Sequence, residues 1–117
     1  MSEARVVLVT APSEEAAAEL CRTLVEDRLA ACGNILTRVR SIYSWKGELV
    51  DEGEALIVLK TERDKVPELI EKTAAIHPYE VPEVLVLEVE SGHGPYLDWI
   101  TSQTRGHDLR DERNERD

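Results

Sequence analysis

His77-Pro78-Tyr79-Glu80-Val81-Pro82-Glu83 divides two kinds of hydrophobic pattern. Before it, Val66, Leu69, Ile70, Thr73 and Ile76 recur at helical spacing. After it, Leu85, Leu87 and Val89 alternate with Val84, Val86 and Glu88 in a predicted strand over 83–90. The helix must end near His77, because the residue before Pro78 is driven out of the α region, and Pro82 marks where the strand begins. Thr61 or Asp64 caps the helix, and Pro67 is tolerated in its first turn, where a missing N–H has no partner to lose. The second half of the chain is thus helix then strand, joined by a stretch that also gathers an imidazole, a phenol and two carboxylates.

Nearer the N-terminus, Arg5-Val6-Val7-Leu8-Val9-Thr10 is a β-branched run that predicts a strand buried on both faces. Ser13 is an N-cap, with Glu14 and Glu15 at the positive end of the helix dipole. Ala17, Leu20, Cys21, Leu24, Val25 and Leu29 then predict an amphipathic helix over 14–30, closed by Gly33 and Asn34, which tolerate left-handed φ. Residues 35–61 read as one long hairpin. Ile35, Thr37, Val39, Ser41, Tyr43 and Trp45 share a face, Lys46-Gly47 makes the turn, and Gly53 suggests a bulge in the return strand. Strand–helix–strand–strand–helix–strand is the α+β, ferredoxin-like βαββαβ order, with two helices on one face of a four-stranded antiparallel sheet. Tyr96-Leu97-Asp98-Trp99-Ile100 adds a short C-terminal helix. The folded domain spans 1–104. Residues 105–117, nearly all charged or polar and including His107, are expected to be a disordered tail.

Val6–Val9, Ala55–Leu59 and Val84–Leu87 are apolar on both faces. A monomer would leave the second sheet face bare, beyond the patch a soluble protein tolerates. A homo-oligomer follows.

The 117 residues carry a formal net charge of -10, which argues against nucleic acid and against anionic membrane surfaces. No apolar run approaches the ~20 residues of a membrane helix, and the N-terminus lacks the order of a signal peptide. Cys21 and Cys32 form no C-x-x-C pair and no disulfide framework, so a reduced, cytoplasmic setting is expected. Cys21 falls on the first helix's apolar stripe, as a core thiol does. There is no phosphate loop, no Ser–His–Asp order and no zinc-hydrolase motif, so no enzyme is expected. Thr10-Ala11-Pro12-Ser13 offers no arginine for an acylphosphatase-type phosphate cradle.

Several segments occur together in order: Thr10-Ala11-Pro12-Ser13, Leu29-Ala30-Ala31-Cys32-Gly33-Asn34, Ser41-Ile42-Tyr43-Ser44-Trp45-Lys46-Gly47-Glu48, Lys60-Thr61, the His77–Glu83 stretch and Tyr96–Ile100. Over about 5–100 the chain resembles the CutA divalent-cation tolerance proteins. The resemblance implies a homotrimer with sheets packed inward, a link to copper and other divalent-metal tolerance, and no settled catalysis. It implies no obligatory cofactor, with Cu(II) or another divalent cation as ligand.

Copper and zinc favour imidazole and thiolate. In the family pattern a first-strand cysteine and a His-His pair hold copper. Here those positions read Val9 and Ile76-His77, so His77 is the matching imidazole, and Cys32 matches the family's other cysteine. His77 also reads as a helix C-cap bonded to backbone or carboxylate, and Cys32 as a structural thiol. Tyr43, Trp45, Lys46, Tyr79 and Glu80 are read as an intersubunit ligand cleft or as trimer packing. Glu48, Asp51, Glu52 and Glu54 offer oxygens to a hard cation but lack calcium-loop spacing, and they read equally as a solvated turn. The alternative function is a PII-like trimeric signalling or scaffold protein that takes a small anion or a partner at subunit clefts, with Arg38, Arg40 and Lys46 as the cations.

Overall fold

The computed structural model describes residues 2–105, so the expected tail from 106 onward lies outside the described residues. The elements are β1 (Ala4–Ala11), α1 (Glu14–Glu26), β2 (Cys32–Trp45), β3 (Glu48–Glu62), a 3₁₀ turn (Arg63–Lys65), α2 (Val66–Ile76), β4 (Val84–Glu88) and α3 (Gly94–Gln103). The sheet order is β2-β3-β1-β4, antiparallel throughout. This is the α+β topology that the element order predicts.

Ser13 caps α1 as expected, its hydroxyl accepting from Ala16 N–H at 3.1 Å. The helix ends at Glu26 rather than near residue 30. Arg28 takes the left-handed position at φ 61°, and Leu29 N–H reaches back to Leu24 C=O at 2.9 Å. This 6→1 closure satisfies an orphan carbonyl without a glycine. Gly33 does not close the helix; it lies in β2, opposite Leu59. A Cβ there would sit 2.6 Å from Cys21 Sγ and 2.9 Å from Leu59 Cδ2, so its bare Cα lets α1 close on the sheet. Thr61 does not cap α2. It is fully buried, and its hydroxyl donates to Leu29 C=O at 2.7 Å, pinning the α1–β2 connection.

The hairpin forms around a left-handed Lys46-Gly47 pair at φ 51° and 82°. The irregularity expected at Gly53 lies instead in β2 between Leu36 and Val39, where Arg38 has φ 61°. One extra residue there flips the side-chain alternation. Ile35 packs on the helix-side core, whereas Val39, Ser41, Tyr43 and Trp45 follow the opposite face.

Val7, Val9, Ile57 and Leu59 are fully buried with Leu24 and Leu69 between sheet and helices. On the other face α3 covers only the corner around Ala4 and Ala31, through Ile100. Leu36, Leu85 and Leu87 remain 46%, 55% and 49% exposed. Ile70 and Ile76, read as part of α2's apolar stripe, are also exposed, because that helix buries Leu69 and Thr73 alone.

Candidate functional site

His77 closes α2, its N–H bonded to Thr73 C=O at 2.9 Å. Its ring is buried. Nε2 donates to Thr10 C=O at 2.7 Å, and Nδ1 accepts Tyr79 N–H at 3.0 Å. The two backbone partners fix these roles, since a carbonyl only accepts and an amide only donates. Both ring nitrogens are thereby occupied. His77 ties the end of β1 to the start of the Pro78–Glu83 segment.

Cys32 lies elsewhere. It pairs with Lys60 at the start of β2, and its half-buried thiol is 3.6 Å from Tyr96 Oη. Through the sheet register, Cys32 is level with Val6, four strand positions from Thr10. That is about 13 Å along the strand. The structure does not bring the two candidate metal ligands together. Among the described residues no three His, Cys, Asp or Glu side chains converge as a metal site. Cys21 lies in the core beneath α1, where burial, with a smaller contribution from Cys32, pushes its thiol up to about 11.

The carboxylates of the hairpin are dispersed among separate partners. Arg40 grips Asp51 with two bonds of 2.8 and 2.7 Å, and this holds the Asp51 carboxyl below its ordinary range. Tyr43 Oη donates to Glu52 at 2.5 Å, and Tyr79 Oη donates to Glu54 at 2.6 Å. The bond to Glu52 pushes the Tyr43 hydroxyl up to about 12. Tyr79 is raised further, first by burial and then by its bond to Glu54.

Four of the five expected cleft residues, Tyr43, Trp45, Tyr79 and Glu80, line one cleft of about 520 Å³. The fifth, Lys46, stands at its rim, with Nζ 3.5 Å from Glu80 Oε2 and 5.7 Å from the centre of the Trp45 ring. Thr10, Glu54 and Glu83 also line the cleft. The sequence groups Glu54 with the hairpin acids rather than with the cleft, because it reads as one more acid in a polar turn. Its spacing of two from Leu56 is the signal that it shares that residue's face of the sheet. The cleft is acidic, and of the three cations expected to hold an anion there, Arg40 and Lys46 are engaged with carboxylates.

Comparison with known proteins gives one consistent picture. The pattern of the CutA1 divalent ion tolerance protein family matches residues 5–103. The chain is 48% identical over 99 residues to the divalent-cation tolerance protein CutA of Thermus thermophilus, covering 85% of this chain and 96% of that protein. It is 47% identical over 96 residues to mouse protein CutA, covering 82% of this chain but only 54% of the mouse protein. The solved structure of the divalent cation tolerance protein from Thermus thermophilus superposes with a TM-score of 0.84 at 46% identity, covering 86% of this chain and 98% of that one.

Proposed function

Because this chain belongs to the CutA1 divalent ion tolerance family, we propose that it serves divalent-cation tolerance as a cytoplasmic homotrimer without catalytic activity. The observation that carries the reading is the family match over 5–103, which takes in the whole fold from β1 to α3. The trimer is supported by the bare sheet face, where Leu36, Leu85 and Leu87 form an apolar surface that further copies would cover. A reducing compartment is supported by two free thiols, one buried and one half-buried.

Ion binding by this chain is weak. Cu(II) prefers imidazole and thiolate ligands. One chain supplies His77, which must surrender a backbone bond to coordinate, and a Cys32 far from it. A closed transition-metal site needs about four ligands. Titration calorimetry of Cu(II) into the wild type, His77→Ala and Cys32→Ser tests the assignment. Binding is expected with a Kd weaker than about 1 μM, and weaker still in the variant that loses the ligand. Equal affinity in all three proteins removes both residues as ligands. The small anion of the PII-like alternative has less support, because the cleft presents Glu54, Glu80 and Glu83.

A further inference from the structure

We propose that the cavity at the N-terminal end of β1 binds a small zwitterion, a free α-amino acid with a small polar side chain. Its volume of about 510 Å³ suits a small molecule. Glu3, Glu62, Asp64, Lys65, Thr104 and Arg105 line it, all of them polar or charged. These walls come from one chain. Glu62 ends β3 and pairs with Ala4, and α3 of the same chain covers that corner of the sheet through Ile100. Asp64 and Lys65 belong to the 3₁₀ turn that leaves the sheet. The exposed Leu36, Leu85 and Leu87 lie outside the cavity. The hairpin turn is at the other end of β3, about 45 Å away at ~3.3 Å per residue. The cavity thus uses no part of the face that further copies would cover.

Glu62 sets the need for a cation. It is 8% exposed, and its side chain makes no capping bond to the 3₁₀ turn that follows it. Among the described residues no ion pair joins Glu62, Asp64, Lys65 or Arg105 to any partner. Glu3 alone is answered, by Arg63 at 3.2 Å. Two carboxylates and two cations therefore share one cavity without closing on each other. A buried carboxylate without a counter-charge is costly, and an ammonium entering the cavity offsets that cost. An α-amino acid carries an ammonium and a carboxylate together at neutral pH. Its ammonium meets Glu62 while its carboxylate meets Lys65 and Arg105, so that both ends form charge-assisted bonds.

The same lining disfavours other ligand classes. A hard divalent cation requires about six converging oxygens at roughly 2.0–2.6 Å, and no three carboxylates converge among the described residues. A simple anion would face Glu62 and Asp64, and a simple cation would face Lys65 and Arg105. An apolar ligand would strip water from all four charges and return nothing to them. This inference goes beyond the tolerance reading and does not depend on it.

The test is calorimetric titration of the native, full-length assembly with L-serine. Ethanolammonium chloride, which lacks the carboxylate, and sodium 3-hydroxypropionate, which lacks the ammonium, are titrated at equal ionic strength. Saturable binding of serine is expected, with each half-molecule at least about tenfold weaker. Glu62→Gln should bind serine and ethanolammonium about tenfold more weakly and leave 3-hydroxypropionate no weaker. Lys65→Ala combined with Arg105→Ala should show the reverse, with serine and 3-hydroxypropionate weakened and ethanolammonium no weaker. Glutamine keeps the shape of Glu62, and circular dichroism verifies that both variants are folded. Either half-molecule binding as tightly as serine overturns the proposal. So does unchanged serine affinity in either variant, or the lack of saturable heat with serine up to about 50 mM, far above any specific affinity.

Discussion

On the helix side of the sheet, Val7, Val9, Ile57 and Leu59 are fully buried beneath α1 and α2. On the other side their strand neighbours Leu85 and Leu87 keep about half of their surface, beside half-buried Val6, Leu8, Leu56 and Val58. Residue types barely differ between the two faces; the cover does. A sheet meant to meet water on one side would alternate apolar with polar. The second face lacks that alternation, and the small third helix reaches only one corner of it.

Substitutions on either side put this contrast at risk. Leu59→Ala should cost about 3 kcal/mol in chemical denaturation, as for a buried leucine whose cavity cannot collapse. Leu85→Ala is the informative partner. In an isolated chain a half-exposed leucine should cost about 1 kcal/mol, whereas under a covering copy the loss should approach that of Leu59→Ala and depend on protein concentration. A concentration-independent loss of about 1 kcal/mol would place the second face in water.

The next effect lies on the helix side alone. Gly33→Ala drives a methyl against Cys21 Sγ and Leu59 Cδ2 and should cost about 1–3 kcal/mol through overpacking. Gly53→Ala, with nothing within 4 Å of its would-be Cβ, should be close to neutral on steric grounds. Thermal melts of the two variants side by side decide the point. Equal losses would show that Gly33 is not a packing glycine.

The smallest effect belongs to the cleft on the bare side. The hydrogen bond to Glu52 pushes the Tyr43 hydroxyl up to about 12, above its ordinary value of 10.0. Its neutral hydroxyl therefore contributes stability in full below pH 10, and that contribution is lost as the pH rises toward 12. The tyrosinate absorbance that Tyr43→Phe removes should appear late in an alkaline titration and move earlier in Glu52→Gln. Ionisation at the ordinary value in the wild type would mean that the bond to Glu52 does not form in solution.

The sequence made the element order, the Ser13 cap, the Lys46-Gly47 turn and the end of α2 at His77 readable, because each has a local chemical signal. It hid the close of α1, since Arg28 occupies a left-handed position that glycine usually marks. It hid the bulge at Arg38, and with it the reversal of faces along β2, because one unpaired residue leaves no mark on composition. At the site, Tyr43, Trp45 and Tyr79 read from the sequence as an intersubunit cleft or as trimer packing, and a single chain already places them along one cleft. His77 as a helix C-cap bonded to backbone was legible; what stayed hidden was which backbone groups it meets, Thr10 C=O and Tyr79 N–H, and a Glu54 buried without a cationic ion pair among the described residues. Both depend on which strands lie side by side.

The mass of the particle in solution decides whether copies of the chain cover the second face. Sedimentation equilibrium at micromolar concentration should give three times the mass of one chain, and changing both Leu85 and Leu87 to aspartate should reduce it while the chain stays folded. A wild-type particle with the mass of a single chain at that concentration would leave the face bare and overturn the trimer.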